Sequence, residues 1–131
     1  MIRFPVDLRV SLMRAGLHLS AWKTMVLAQP EVGPADPEIL QYRFGEVHGI
    51  LCHSAGLEAL TIIAVNNNVP GNGDFAKLMA MLEGVAHAAG HPLAVASIWN
   101  DDLRRHLIKK RGYKDYEGPH YSDAVIKPPQ T

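Results

Sequence analysis

The chain has 131 residues, and its 13 lysines and arginines balance 13 aspartates and glutamates, so the formal charge is zero at neutral pH. No net field draws it to nucleic acid or to an anionic membrane, and no apolar run approaches the ~18 residues that a span requires. With 47% of residues hydrophobic, 20% charged and a single cysteine, the composition fits one globular domain with a real core, no intrachain disulfide and a reducing compartment.

The amino terminus lacks the basic, apolar, small-residue order of a secretion signal, which makes the cytoplasm the expected location. Ile2-Arg3-Phe4-Pro5-Val6 predicts a short extended segment that Pro5 confines to a sheet edge or a strand end. Asp7 is placed to cap a helix. Leu8, Leu12, Ala15, Leu19, Trp22 and Val26 then recur at spacings of 4, 3, 4, 3 and 4, which predicts a long amphipathic helix. Gly16 weakens that helix by about 1 kcal/mol relative to alanine. Pro30, Gly33, Pro34 and Pro37 stop it, and residues 29–38 read as a surface loop.

Ile39 to Val47 and His48 to Ser54 read as two strands meeting near Glu46-Val47-His48-Gly49, where Gly45 and Gly49 each suit a turn or a bulge. Ala55-Gly56 turns the chain into a third strand, Leu57 to Val65. Its run Leu60-Thr61-Ile62-Ile63-Ala64-Val65 is rich in β-branched residues and bounded by three asparagines. Sequential strands on short connections predict an antiparallel meander.

Next, Asn68-Val69-Pro70-Gly71-Asn72-Gly73-Asp74 breaks the strand. Phe75, Leu78, Met79, Leu82, Val85, Ala86 and Ala89 follow at offsets 0, 3, 4, 7, 10, 11 and 14, one face of an α-helix. A second apolar strand, Leu93 to Trp99, leads into a basic helix that ends at Arg111-Gly112-Tyr113. Strand, glycine turn, helix and strand make a βαβ unit, and its turn aims backbone N–H groups above the sheet, a geometry suited to phosphate. Tyr113–Glu117 and Tyr121–Ile126, around Gly118-Pro119-His120, read as a terminal hairpin. The expectation is therefore one α/β domain over residues 1–127, with a mixed, mostly antiparallel sheet flanked by helices in the order β-α-β-β-β-α-β-α-β-β. Residues 128–131 form a flexible tail.

The order Asn68-x-x-Gly71-x-Gly73 at a strand-to-helix turn resembles the Gln/Arg-x-x-Gly-x-Gly/Ala acyl-CoA loop of the GCN5-related N-acetyltransferases, the GNAT family. Ser97-Ile98-Trp99-Asn100, a helix, and then Arg111-Gly112-Tyr113 resemble that family's strand, asparagine, helix and Gly-Phe/Tyr ending. The likeness covers residues 57–127 well and the first 56 only by order of elements. It implies a GNAT-like sheet and transfer of an acetyl group from acetyl-CoA, as cosubstrate, to an amine of a small molecule or protein. Ile63 and Val65 would border the pantetheine arm in a gap between the two parallel strands, with the Val65 N–H polarising the thioester carbonyl. Gly71, Gly73, Asp74 and Phe75 would hold the phosphates beside Asn68, and Asn100 would help hold the arm. In this sequence Asn68 replaces the usual Gln or Arg and Pro70 removes one donor. Asp74, placed as an N-cap, would compete for the amides that a phosphate needs.

The Tyr that many members carry before the Gly-Phe/Tyr pair is missing; Leu107, Ile108 and Lys109 occupy its neighbourhood. His106 is the candidate acid, with Tyr116 and Tyr121 as further donors, and Glu58 or Glu46 the candidate base. The plainer reading leaves His106, Glu58 and Glu46 on a solvated surface. The seven histidines suggest no ligand set, because Gly90 and Pro92 end the helix beside His87 and His91, so no metal is expected. Nucleic acid and membrane are not expected as partners. A rival reading keeps the GNAT-like scaffold without chemistry, as a structural or protein-binding module such as a phage virion component. That reading predicts a self-complementary or partner-binding apolar patch and a homo-oligomer or larger protein assembly.

Overall fold

The computed structural model describes residues 2–22, 37–54, 58–96, 101–116 and 124–129. Among them three helices, α1 (Val6–Arg14), α2 (Asp74–Ala88) and α3 (Asp101–Arg111), accompany seven strands: β1 (His18–Ala21), β2 (Ile39–Phe44), β3 (Val47–Ser54), β4 (Ala59–Asn67), β5 (Leu93–Val95), β6 (Lys114–Tyr116) and β7 (Ala124–Lys127). The strands form one open sheet in the order β1-β2-β3-β4-β5-β7-β6. Every pair is antiparallel except β4 with β5. The chain is thus α/β with a mostly antiparallel sheet, and the βαβ unit and the terminal hairpin stand where the periodicity put them.

The long first helix does not form. α1 ends at Arg14, and Gly16, at φ +105°, turns the chain out of it. The N–H of Gly16 bonds to the carbonyl of Met13 and that of Leu17 to the carbonyl of Leu12 (both 3.1 Å), so the last carbonyls are satisfied by a left-handed glycine stop. Beyond it, buried Leu17 and half-buried Leu19 alternate with exposed His18 and Ser20, and that period of two makes β1. Spacing alone hid this, because Leu19 satisfies a helical and a strand pattern at once. The expected first strand is reduced to a single parallel bridge between Ile2 and Pro37. Asp7 lies inside the first turn of α1, and the capping position is held by Pro5 without a side-chain hydrogen bond.

Register shows how the core is laid out. Leu40, Leu51, Ile62, Val95 and Val125 are cross-strand neighbours in one row running over β2, β3, β4, β5 and β7, and all are buried. Leu8 and Leu12 of α1 and Leu78, Met79, Leu82 and Ala86 of α2 belong to the same cluster. Burying a Leu, Ile, Val or Met side chain stabilises the fold by about 1.5–3 kcal/mol, so this row and the two helix faces dominate the energetics.

Farther along the sheet, Glu83 of α2 binds Arg111 at the end of α3 through two hydrogen bonds (2.8 and 3.0 Å) and accepts a third from the buried Tyr113 hydroxyl (2.9 Å). Lys127 of β7 lies 3.7 Å away. Tyr113 is therefore a core residue that ties α3 and β7 to α2.

Candidate functional site

Around β4 the sheet departs from regularity. Ile50 of β3 faces Ala64, but the next residue, Leu51, faces Ile62, which leaves Ile63 as an extra residue in β4. Such a β-bulge bends its strand and strengthens the local twist. On the other side β4 pairs with β5 only from Leu60 to Ile62, and the last described bond between them runs from the Ala96 N–H to the Ile62 carbonyl (2.8 Å). Beyond the bulge, Ile63 to Asn67 therefore have no β5 partner among the described residues.

This stretch leads into the Asn68–Asp74 turn, which is built from asparagines and glycines. The N–H of Val69 is held by the Asn67 side chain (3.2 Å) and that of Asp74 by the Asn72 side chain (3.0 Å), two local turns that these short amides favour. Gly71 and Gly73 both sit at φ +89°, with nothing within 4 Å of where a Cβ would stand. The N–H groups of Gly71, Gly73, Phe75 and Ala76 make no hydrogen bond among the described residues. Four amides at the start of a helix thus remain without described partners.

Asp74 does not cap α2. The capping position is Gly73, in the left-handed region, and Asp74 is the first helical residue. Its carboxylate accepts the Glu46 N–H (3.0 Å) and the Asn72 side-chain amide (3.1 Å). The β2–β3 hairpin turn outcompetes the helix amides for it, because Gly45 is bare there and a Cβ would overlap the carboxylate. The Asn68 N–H returns to the Glu46 carbonyl (3.0 Å), so the backbone of Glu46 clasps the loop from both sides. The carboxylate charge remains nearby, but the amides are left uncovered.

The same end of the sheet carries a groove of about 980 Å³, lined among others by His18, Arg43, Glu46, His48 and Asn68. His18, Arg43 and His48 are cross-strand neighbours on β1, β2 and β3, and Asn66 continues the row. His18 and His48 bring imidazoles and Glu46 a carboxylate to this groove. Periodicity carried no signal for this row, since neighbours across a sheet are remote in sequence.

The residues expected in catalysis are not gathered here. Glu58 precedes β4 at the opposite end from the loop, on the order of 30 Å along an extended strand. Its φ of +49° turns its carbonyl toward His91 Nδ1 (3.1 Å). His91 Nδ1 lies 3.5 Å from His53 Nε2, with the rings edge to face. Burial and the neighbouring His91 hold the His53 imidazole below its ordinary value, against the pull of Glu58. His106 is exposed on α3, which packs on β7, and Tyr116 is half-buried on the edge strand β6, three strand spacings or about 14 Å from β4. Ile63, Val65 and Phe75 are half-buried and Asn68 is exposed, all on the β4-to-α2 segment. Asn100 and Tyr121 lie outside the described residues, as do residues 29–36 of the expected loop. Leu107, near the missing tyrosine, is buried in the core.

No group of three or more His, Cys, Asp or Glu side chains stands close enough to hold a metal among the described residues. Among the same residues no helix is long and apolar enough to cross a membrane. Comparison with family models, with curated proteins and with solved structures finds no match.

Proposed function

We propose that the chain is a GNAT-like N-acyltransferase that moves an acetyl group from acetyl-CoA to an amine. The observation that carries this reading is the continuity of two donor arrays. The edge of β4 from Ile63 to Asn67, without a β5 partner among the described residues, runs directly into a left-handed glycine turn whose four amides make no described hydrogen bond. An extended, amide-bearing arm adds to the first array as a strand would, and an anionic diphosphate suits the second. Asp74 sets the affinity: a carboxylate about 5 Å from a phosphate costs on the order of 1–3 kcal/mol in a partly solvated site. The start of the helix offsets part of that. Binding in the micromolar range is expected.

In the reaction the acceptor nitrogen attacks the thioester carbonyl carbon, the C–S bond breaks, and the thiolate takes a proton from water as CoA leaves. The proton lost by the amine passes to Glu46 or His48, the groove groups beside the loop, in place of the distant Glu58. Isothermal titration with acetyl-CoA tests the reading. Saturable heat that Gly71→Glu weakens at least tenfold supports it, and no heat at millimolar cosubstrate removes it.

A second reading, a structural or protein-binding module, is favoured by α1. Val6 (72% exposed), Val10 (40%) and Met13 (52%) line its outer face at helical spacing. Light scattering after gel filtration discriminates: an assembly dispersed by Val10→Asp supports the module, and a monomer at all concentrations opposes it.

A further inference from the structure

We propose that Tyr42 is a positioning residue that holds the β4 bulge in place, and so sets the course of Ile63 to Asn67, which have no β5 partner among the described residues, for the arm of an acyl-CoA. This rests on the acyltransferase reading and names the part of the fold that would prepare its site. A bulge rotates a peptide out of the ladder, and the displaced carbonyl needs a new donor or remains a buried orphan. Here the displaced group is the carbonyl of Ala64. It lies above Gly49 of β3, so close that a Cβ there would overlap the oxygen. Tyr42 stands on β2 directly opposite Gly49, and its side chain reaches over the bare glycine to donate to the Ala64 carbonyl at 2.9 Å. The hydroxyl would also lie 2.8 Å from a Cβ at Gly49, so donor and carbonyl share the space that the glycine leaves.

The arrangement needs all three residues. Gly49 supplies room, Ala64 presents the carbonyl, and Tyr42, only 1% exposed, supplies a donor that water cannot replace. Burial pushes the Tyr42 phenol above its ordinary value, which keeps it a donor at every working pH. Without the hydroxyl, the cheapest way to satisfy Ala64 is to rotate its peptide back toward the ladder. That rotation shifts the register of Ile63 to Asn67 and turns that edge away from its guest.

Tyr42→Phe removes one oxygen and keeps the ring in the core, so the variant folds. Its test is a pair of titrations, one with acetyl-CoA and one with adenosine 3′,5′-bisphosphate, which has phosphates but no pantetheine arm. The expected result is acetyl-CoA binding weakened roughly tenfold, as for an unmatched buried acceptor, while the nucleotide binds the variant and the wild type equally. Leu12→Ala, which destabilises the core away from β4, serves as a control and is expected to alter neither affinity in the folded protein. If the variant binds acetyl-CoA as the wild type does, or loses both ligands in the same proportion, Tyr42 has no positioning role and the functional reading stands. A wild-type chain that binds neither ligand removes that reading and this inference together.

Discussion

Replacing Glu83 by glutamine tests the account of how α2, α3 and β7 are held together. The carboxylate accepts three hydrogen bonds, two from Arg111 and one from Tyr113, and its side chain is 14% exposed against 19% for Arg111 and 23% for Lys127. Glutamine keeps the shape but turns an amino group toward donors that have lost their acceptor. Breaking a fully buried pair costs about 3–5 kcal/mol; at this partial exposure the loss is expected to be about 2–3 kcal/mol, or a fall of roughly 10 °C in Tm for a chain of this size. The pH dependence fixes the cause. Burial alone would raise the Glu83 carboxyl, but the hydrogen bonds from Arg111 and Tyr113 and the charges of Arg111 and Lys127 outweigh it and hold the group below its ordinary value. A depressed carboxyl stabilises the fold above the ordinary carboxylate range and loses that contribution as the pH falls through its folded value. Urea unfolding at pH 7 should therefore separate wild type and Glu83→Gln clearly, and at pH 3 the gap should shrink. A difference under about 0.5 kcal/mol at pH 7, within the range of an exposed pair, or a gap that does not narrow in acid, would refute the reasoning.

Other consequences follow from the same geometry. His53, held low by burial and by His91, contributes stability above about pH 6.5 that fades as the pH drops below it; His53→Gln should flatten the slope of the denaturant midpoint between pH 7.5 and 5.5, and an unchanged slope counts against the pairing. Gly16→Ala forces a Cβ onto a φ of +105° and should lower stability by about 1–2 kcal/mol in urea melts, whereas a neutral result would deny the glycine stop. Leu12→Ala, at a fully buried site where α1 meets α2, should cost about 2–5 kcal/mol by calorimetry; a loss below 1 kcal/mol would mean that α1 does not seal the core.

Local patterns carried much of the architecture. The seven spaced apolar residues from Phe75 to Ala89 specify α2 on their own, since one face of a helix is written at intervals of three and four. The Asn and Gly content of residues 66–73 likewise specifies a turn before that helix, because those side chains bond their own backbone and glycine accepts positive φ. The fold class followed, since a strand, a turn, a helix and a strand in that order have few ways to pack.

Tertiary structure decided what those elements are for. Whether Gly16 ends α1 depended on Leu19 finding its neighbour Tyr42 in β2, a pairing with a residue more than 20 positions away. Whether Asp74 covers the helix amides depended on the Glu46 N–H, 28 residues earlier, and whether Glu83 is a surface charge or a hub depended on Arg111 and Tyr113. The bulge in β4 was legible only as an isolated glycine in a strand; the Ala64 carbonyl beside it accepts from a tyrosine hydroxyl two strands from β4. Periodicity reports which face of an element is apolar. It carries no information about which distant group satisfies a particular carbonyl or carboxylate, because that partner is chosen by chain folding and not by spacing.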